Sequence, residues 1–206
     1  MKRILLSLAL SLGFIAPSFA QVNYVPQVGT LSDVLRHSTY SATAVGLVPA
    51  SAATDIFCIS AGSGKSVSIK KITIGGTAGT AITTPFLIYQ RSALDTSGTA
   101  ATGLALPVAV PLAPNDQAST ATLISYTANP TVAATPLLMD AALVDLPVTT
   151  AAGGVTSAQL IYGSSSDNFS KSLDIIKGTT IQLCVNLNGA SVSSGVLTIN
   201  MIWQEQ

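Results

Sequence analysis

Thr180-Ile181-Gln182-Leu183-Cys184-Val185-Asn186-Leu187, with Asn188-Gly189 behind it and Leu197-Thr198-Ile199-Asn200-Met201-Ile202-Trp203-Gln204 beyond a short Ser/Gly loop, decides the fold. In the first run Ile181, Leu183, Val185 and Leu187 fall on one side, with Gln182, Cys184 and Asn186 on the other. In the second, Leu197, Ile199, Met201 and Trp203 alternate with Thr198, Asn200 and Gln204. A period of two puts every second side chain on the same face, so both runs predict strands with one buried side. Asn-Gly favours a tight turn, and the two runs read as an antiparallel hairpin.

The same vocabulary extends upstream. Asp55–Ser60 is a short apolar run ended by the turn residues Ala61-Gly62-Ser63-Gly64. In Ser66–Ile74, Val67 and Ile69 share one phase, and Ile72 and Ile74 the other. That change at Lys70-Lys71 predicts a β-bulge, in which one extra residue moves the pattern to the opposite face. Thr84–Arg91, Thr120–Thr127, Gln159–Tyr162 and Leu173–Ile176 are further strands. Two stretches rich in Pro and Gly, 92–119 and 129–154, read as long loops, with an edge strand expected within Leu104–Val110. Loops of that length usually bind or pack on something, so these two are either the expected contact surfaces or wrap the domain's own surface. About ten short strands and almost no helix predict an all-β fold. It is an antiparallel two-sheet sandwich of jelly-roll or Greek-key type.

Ahead of this domain, Met1-Lys2-Arg3, an apolar stretch from Ile4 to Ala16 and Pro17-Ser18-Phe19-Ala20 form the layout of a secretory signal peptide. That stretch of 13 residues, broken only by Ser7, Ser11 and Gly13, falls short of the roughly 20 that span a bilayer. Cleavage is expected between Ala20 and Gln21. The expected organisation is therefore a signal peptide at 1–20, an extended arm at 21–53 and a sandwich at 54–206. The arm carries one short helix near Thr30–His37, which Ser32 caps. An extended arm of this kind suits exchange between subunits.

The 206-residue chain is 48% hydrophobic and only 9% charged, against roughly 25% charged in soluble proteins generally. Without Lys2 and Arg3 it has seven basic and nine acidic residues, a formal charge of −2. No basic footprint for nucleic acid exists, and nothing draws the mature chain to an anionic membrane. Weak self-repulsion favours a homo-oligomer or larger protein assembly.

Chemistry-bearing motifs are sparse. Gly62-Ser63-Gly64-Lys65-Ser66 resembles the end of a phosphate loop, but Ile59 stands where the first glycine belongs, and a strand follows instead of a helix. A hairpin turn is the reading. Cys58 and Cys184 are the only cysteines. In an exported protein they are candidates for a disulfide, and the polar-face position of Cys184 favours a bridge outside the main core or a free thiol. Two cysteines and the single histidine fall short of the four ligands usual for a metal, and no cofactor motif is present. Asp33 and His37 lie at i+4 spacing, yet no Gly-x-Ser-x-Gly elbow accompanies them. Acid–base pairs would have to come mainly from Asp95, Asp116, Asp140, Asp145, Asp167 and Asp174, most of them in loops. Aromatics that stack on sugars (Tyr89, Tyr126, Tyr162, Trp203) mostly fall within strands.

Thr54-Asp55-Ile56-Phe57-Cys58-Ile59 with Val67–Gly76, Gln90-Arg91-Ser92-Ala93 with Gly98-Thr99, Ser125-Tyr126-Thr127-Ala128-Asn129-Pro130 and the Trp203 strand together resemble a group of uncharacterised bacteriophage and prophage proteins. The resemblance covers about residues 54–206. It implies a virion-associated β-sandwich, such as a head-decoration or fibre subunit, and no catalytic residues. The expected function is thus a non-enzymatic structural protein, exported to the periplasm, cell surface or medium, that self-assembles or decorates a larger surface such as a virion. The alternative is a secreted or periplasmic adhesin that binds a glycan. A small secreted hydrolase rests only on Asp33 and His37.

Overall fold

In the computed structural model, residues 37–132, 136–148, 159–163, 173–192 and 194–206 are described. The closing run forms strand β12, Val196–Glu205. Leu197, Ile199, Met201 and Trp203 are fully buried, while Thr198, Asn200 and Gln204 look outward. Its partners are β1, Ser38–Leu47, and β3, Val67–Thr77, both antiparallel. The phase change in β3 is a bulge. Ile202 lies opposite Lys71 and Trp203 opposite Ile69, leaving Lys70 as the extra residue.

The remaining strands are β2 (Asp55–Ser60), β4 (Ile82–Arg91), β5 (Thr99–Ala100), β6 (Val110–Pro111), β7 (Thr122–Ala128), β8 (Leu137–Leu146), β9 (Gln159–Tyr162), β10 (Leu173–Ile175) and β11 (Gln182–Asn186). One sheet runs β10-β3-β12-β1-β6, with β9 also on β3, and the other β5-β7-β2-β11-β4-β8. The pairs β1/β12, β2/β11, β3/β10 and β4/β8 are nested, as though one long antiparallel hairpin had been rolled across two sheets. That is the jelly roll, the more specific of the two sandwich topologies expected. The segment between β4 and β8 adds β5 and β7 beyond β2, and β6 beyond β1.

Several expectations are corrected. The run at 180–187 and the closing strand do not form a hairpin, because β11 and β12 belong to opposite sheets. Asn188-Gly189 does make a tight turn, with φ of 52° and 77° at the two residues and an Ala190 N–H to Leu187 carbonyl bond of 2.9 Å. The turn pairs with Ala53 and Thr54, however, and the chain beyond it passes to the other sheet. Ala61–Ser66 likewise joins β2 to β3 across the two sheets, so it is an arch and no hairpin. Gly62 is required there, since a Cβ would meet the Thr120 carbonyl oxygen. The sandwich begins before residue 54. Ser38–Leu47, placed by sequence in the extended arm, is an interior strand whose Tyr40, Ala42, Ala44 and Leu47 are buried. Alanines carry too little apolar signal for that alternation to stand out. Residues 129–154 do not form one loop, because β8 fills Leu137–Leu146 between Pro136 and Pro147. Within Leu104–Val110 the chain makes a 3-10 turn at Gly103–Ala105 and reaches a two-residue pairing only at Val110–Pro111, opposite Tyr40 and Ser41. The cleavage residues Ala20 and Gln21, Asp33 and almost all of the expected short helix lie outside the described residues.

One core fills the space between the sheets, built around Trp203, Tyr40, Phe57 and Phe86 with isoleucines from β2, β3 and β4. Tyr40 and Trp203 stack with ring centres 5.7 Å apart. Glu205 continues the buried phase of β12 and is itself buried. It accepts bonds from Ser119 Oγ, from the Thr120 N–H and hydroxyl, from the Ala121 N–H and from Trp203 Nε1. The chain's only glutamate thereby ties the segment ahead of β7 over one end of the core.

Candidate functional site

The outer face of the β7-β2-β11-β4 sheet carries the densest polar chemistry among the described residues. Asp55 and Asn186 lie opposite each other, as do Cys58 and Cys184 in the next pairs along β2 and β11. The cysteines are bridged, with S–S 2.07 Å and Cα atoms 4.1 Å apart. Their small cluster with Tyr126 and Ile124 is separate from the main core, so of the two outcomes left by the polar-face position of Cys184 the bridge outside the core is the one formed. Closing a span of 126 residues contributes about 5 kcal/mol in the chain-entropy account.

From β4, the Arg91 guanidinium lies 4.8 Å from the centre of the Tyr89 ring. It grips Asp55 in a fork, Nε to Oδ2 at 2.8 Å and Nη2 to Oδ1 at 2.7 Å. Asn186 Nδ2 donates to the same carboxylate, and its Oδ1 accepts the Asn188 N–H at 2.5 Å. Both charges are buried. Excellent geometry and an extra donor are what a desolvated ion pair needs to hold. The network ties together three strands that are far apart in sequence. Sequence reasoning missed it. Its only signal is a charge at each end of apolar strands, in a chain with few charges.

The chain beyond β4 turns back over this face and sets Asp95 Oδ2 3.6 Å from Cys58 Sγ and 3.9 Å from Cys184 Sγ. Gly98 lies against the Tyr126 ring, too close for a Cβ. Burial pushes the Tyr126 hydroxyl up to about 12, and the negative charges of Asp95 and Asp55 add to the rise. Asp55, Cys58, Asp95 and Cys184 bring their ligand-type atoms within 4.8 Å of one another. With the sulfurs joined, neither is a thiolate, and Asp55 is already gripped by Arg91 and Asn186, so the cluster does not offer a metal's donor set. Between Asp95, Gln182 and β7 lies a cavity of about 180 Å³. A second, of about 340 Å³, is lined by Gln90, Arg91, Ser92, Leu137 and Ile181.

The other expected residues are dispersed. His37 is exposed just ahead of β1. Asp116 lies between β6 and β7, Asp140 and Asp145 lie on β8, and Asp174 lies on β10, while Asp167 is outside the described residues. Trp203 is wholly in the core and Tyr126 almost wholly buried; Tyr89 and Tyr162 are half-buried.

Both expected contact stretches expose apolar side chains. Leu104 (79% exposed), Leu106, Val108, Val110 and Leu112 lie in the segment that leads into and out of β6, and Leu137, Leu138, Met139 and Leu143 (71%) lie along β8. These are opposite margins of the sandwich: β6 flanks β1 on the side that contacts β7, whereas β8 contacts β3 and β9. Among the described residues no helix is long and apolar enough to cross a membrane. No protein-family model, curated protein or solved structure matches the chain.

Proposed function

We propose that the chain is a non-catalytic structural subunit that is exported and assembles with further copies of itself, as in a particle coat or fibre of the kind virions carry. The observation that carries this reading is β8. Among the described residues this ten-residue strand pairs on one side only, with β4, and it exposes Leu137, Leu138, Met139 and Leu143. Edge strands of proteins that stay apart are usually short or protected by lysine, proline or a covering element. β8 has no lysine, its charges are Asp140, which is half-buried, and Asp145 at its covered end, and the two flanking prolines stand outside it. Among the described residues only its far end is covered, where Gln159 Nε2 donates to the Asp145 carbonyl at 3.0 Å. A second apolar margin at 104–112 supplies a surface for β8 of the next copy to meet. Low net charge leaves little repulsion between copies.

The test is to place charge on the edge. Leu138→Lys with Leu143→Lys should shift the solution mass toward monomer while leaving the thermal midpoint nearly unchanged, because both side chains are exposed. Thr198→Lys, exposed on the outside of the other sheet, should leave the mass as it was. An edge variant that assembles as the parent does would reject the reading.

A further inference from the structure

The cavity of about 180 Å³ beside the disulfide is built from side chains of differing chemistry. Gln182, Ser60 and Thr122, which lie opposite one another across β11, β2 and β7, line it together with Leu94, Asp95 and Tyr126. Gln182 is only 3% exposed, and its Nε2 has no hydrogen-bond partner. A buried donor left unsatisfied costs about 1–3 kcal/mol, so such groups usually mark a place where something outside the chain supplies the acceptor. Tyr126, with its raised titration, keeps its hydroxyl proton throughout the neutral range.

We propose that this cavity binds a single neutral sugar residue, as a free monosaccharide or as one unit of a glycan. The lining selects among ligand classes. An anion would face the Asp95 carboxylate on the rim and Asp55 close behind it. An ammonium group would suit Asp95 but give the Gln182 N–H nothing to donate to. A sugar hydroxyl both donates and accepts, so one ring gives the Gln182 amide its acceptor and the Asp95 carboxylate a further donor. The volume lies below the roughly 300 Å³ at which drug-sized sites begin, which fits one ring and excludes a nucleotide. Leu94 and Ile124 give the ring an apolar ledge. The site is separate from the β8 edge, so it stands whether or not the chain assembles.

The experiment is titration of the chain from Gln21 onward with glucose, galactose, mannose and N-acetylglucosamine, followed by saturation-transfer NMR and calorimetry. At least one sugar is expected to bind saturably and to weaken about tenfold in Gln182→Leu, the loss of one good hydrogen bond. Thr122→Arg, at the exposed rim, should block binding without disturbing the interior, and it decides the matter if Gln182→Leu folds poorly. Absence of binding by all four sugars, or equal binding in the parent and Thr122→Arg, overturns the proposal.

Discussion

Glu205 is a carboxylate at the end of an apolar strand face, and its titration follows from what surrounds it. Burial pushes its pKa up, but bonds from Ser119, Thr120, Trp203 and Ala121 outweigh that and hold it below the ordinary value of 4.5. Folding therefore favours the ionised form. The stability it contributes is present above about pH 4.5 and is lost as pH falls through the lowered native value. Glu205→Gln should lower the thermal midpoint at pH 7 and flatten its decline as pH falls below about 4.5; unchanged slopes would contradict this account of the residue. For the Arg91–Asp55 pair, Arg91→Met leaves a buried carboxylate without its cation and should cost about 3–5 kcal/mol in urea unfolding. Adding Asp55→Asn should recover a large part of that loss, because the stranded charge is then gone. Cys58→Ser with Cys184→Ser should cost about 2–5 kcal/mol. The parent protein should show the same drop under reductant.

The strands tell how far local pattern reaches. β3, β11 and β12 were legible because apolar residues recur in them with period two, β2, β4 and β7 as short apolar runs, and the bulge at Lys70 because a phase change has no other cheap explanation. β1 was not, since Ala42 and Ala44 stand where larger residues would have signalled a core strand. β8 was hidden by its flanking prolines and by apolar residues on its exposed side, which blur the alternation. The β11/β12 hairpin was misread because a tight turn fixes the chain's direction for two residues and says nothing about the sheet it joins next. At the candidate site the cysteine pair was visible, while Arg91 and Asp55 meet only through a register between distant strands. One consequence concerns β1. A chain that starts at Thr54 lacks the strand between β12 and β6, and with it the Tyr40–Trp203 stack, so it should fail to melt cooperatively by circular dichroism. A chain that starts at His37 should fold. If the shorter chain folded equally well, β1 would not belong to the structural core.

As a whole molecule, the chain is a rolled antiparallel ladder that closes one core and leaves apolar side chains on two opposite margins. A fold of this class serves shells, lectins and enzymes alike, so the surface and not the topology carries the argument. Unlike margins on opposite sides favour head-to-tail contacts, which close into rings or continue as filaments according to the rotation between copies. The contact need not be large per copy if every copy makes two. The most direct measurement is the solution mass of the chain from Gln21 onward, by light scattering on a sizing column over about a hundredfold range of concentration. A fixed multiple of the monomer mass, or growth with concentration into rings or filaments, is the result the account predicts. A monomer at every concentration would contradict it.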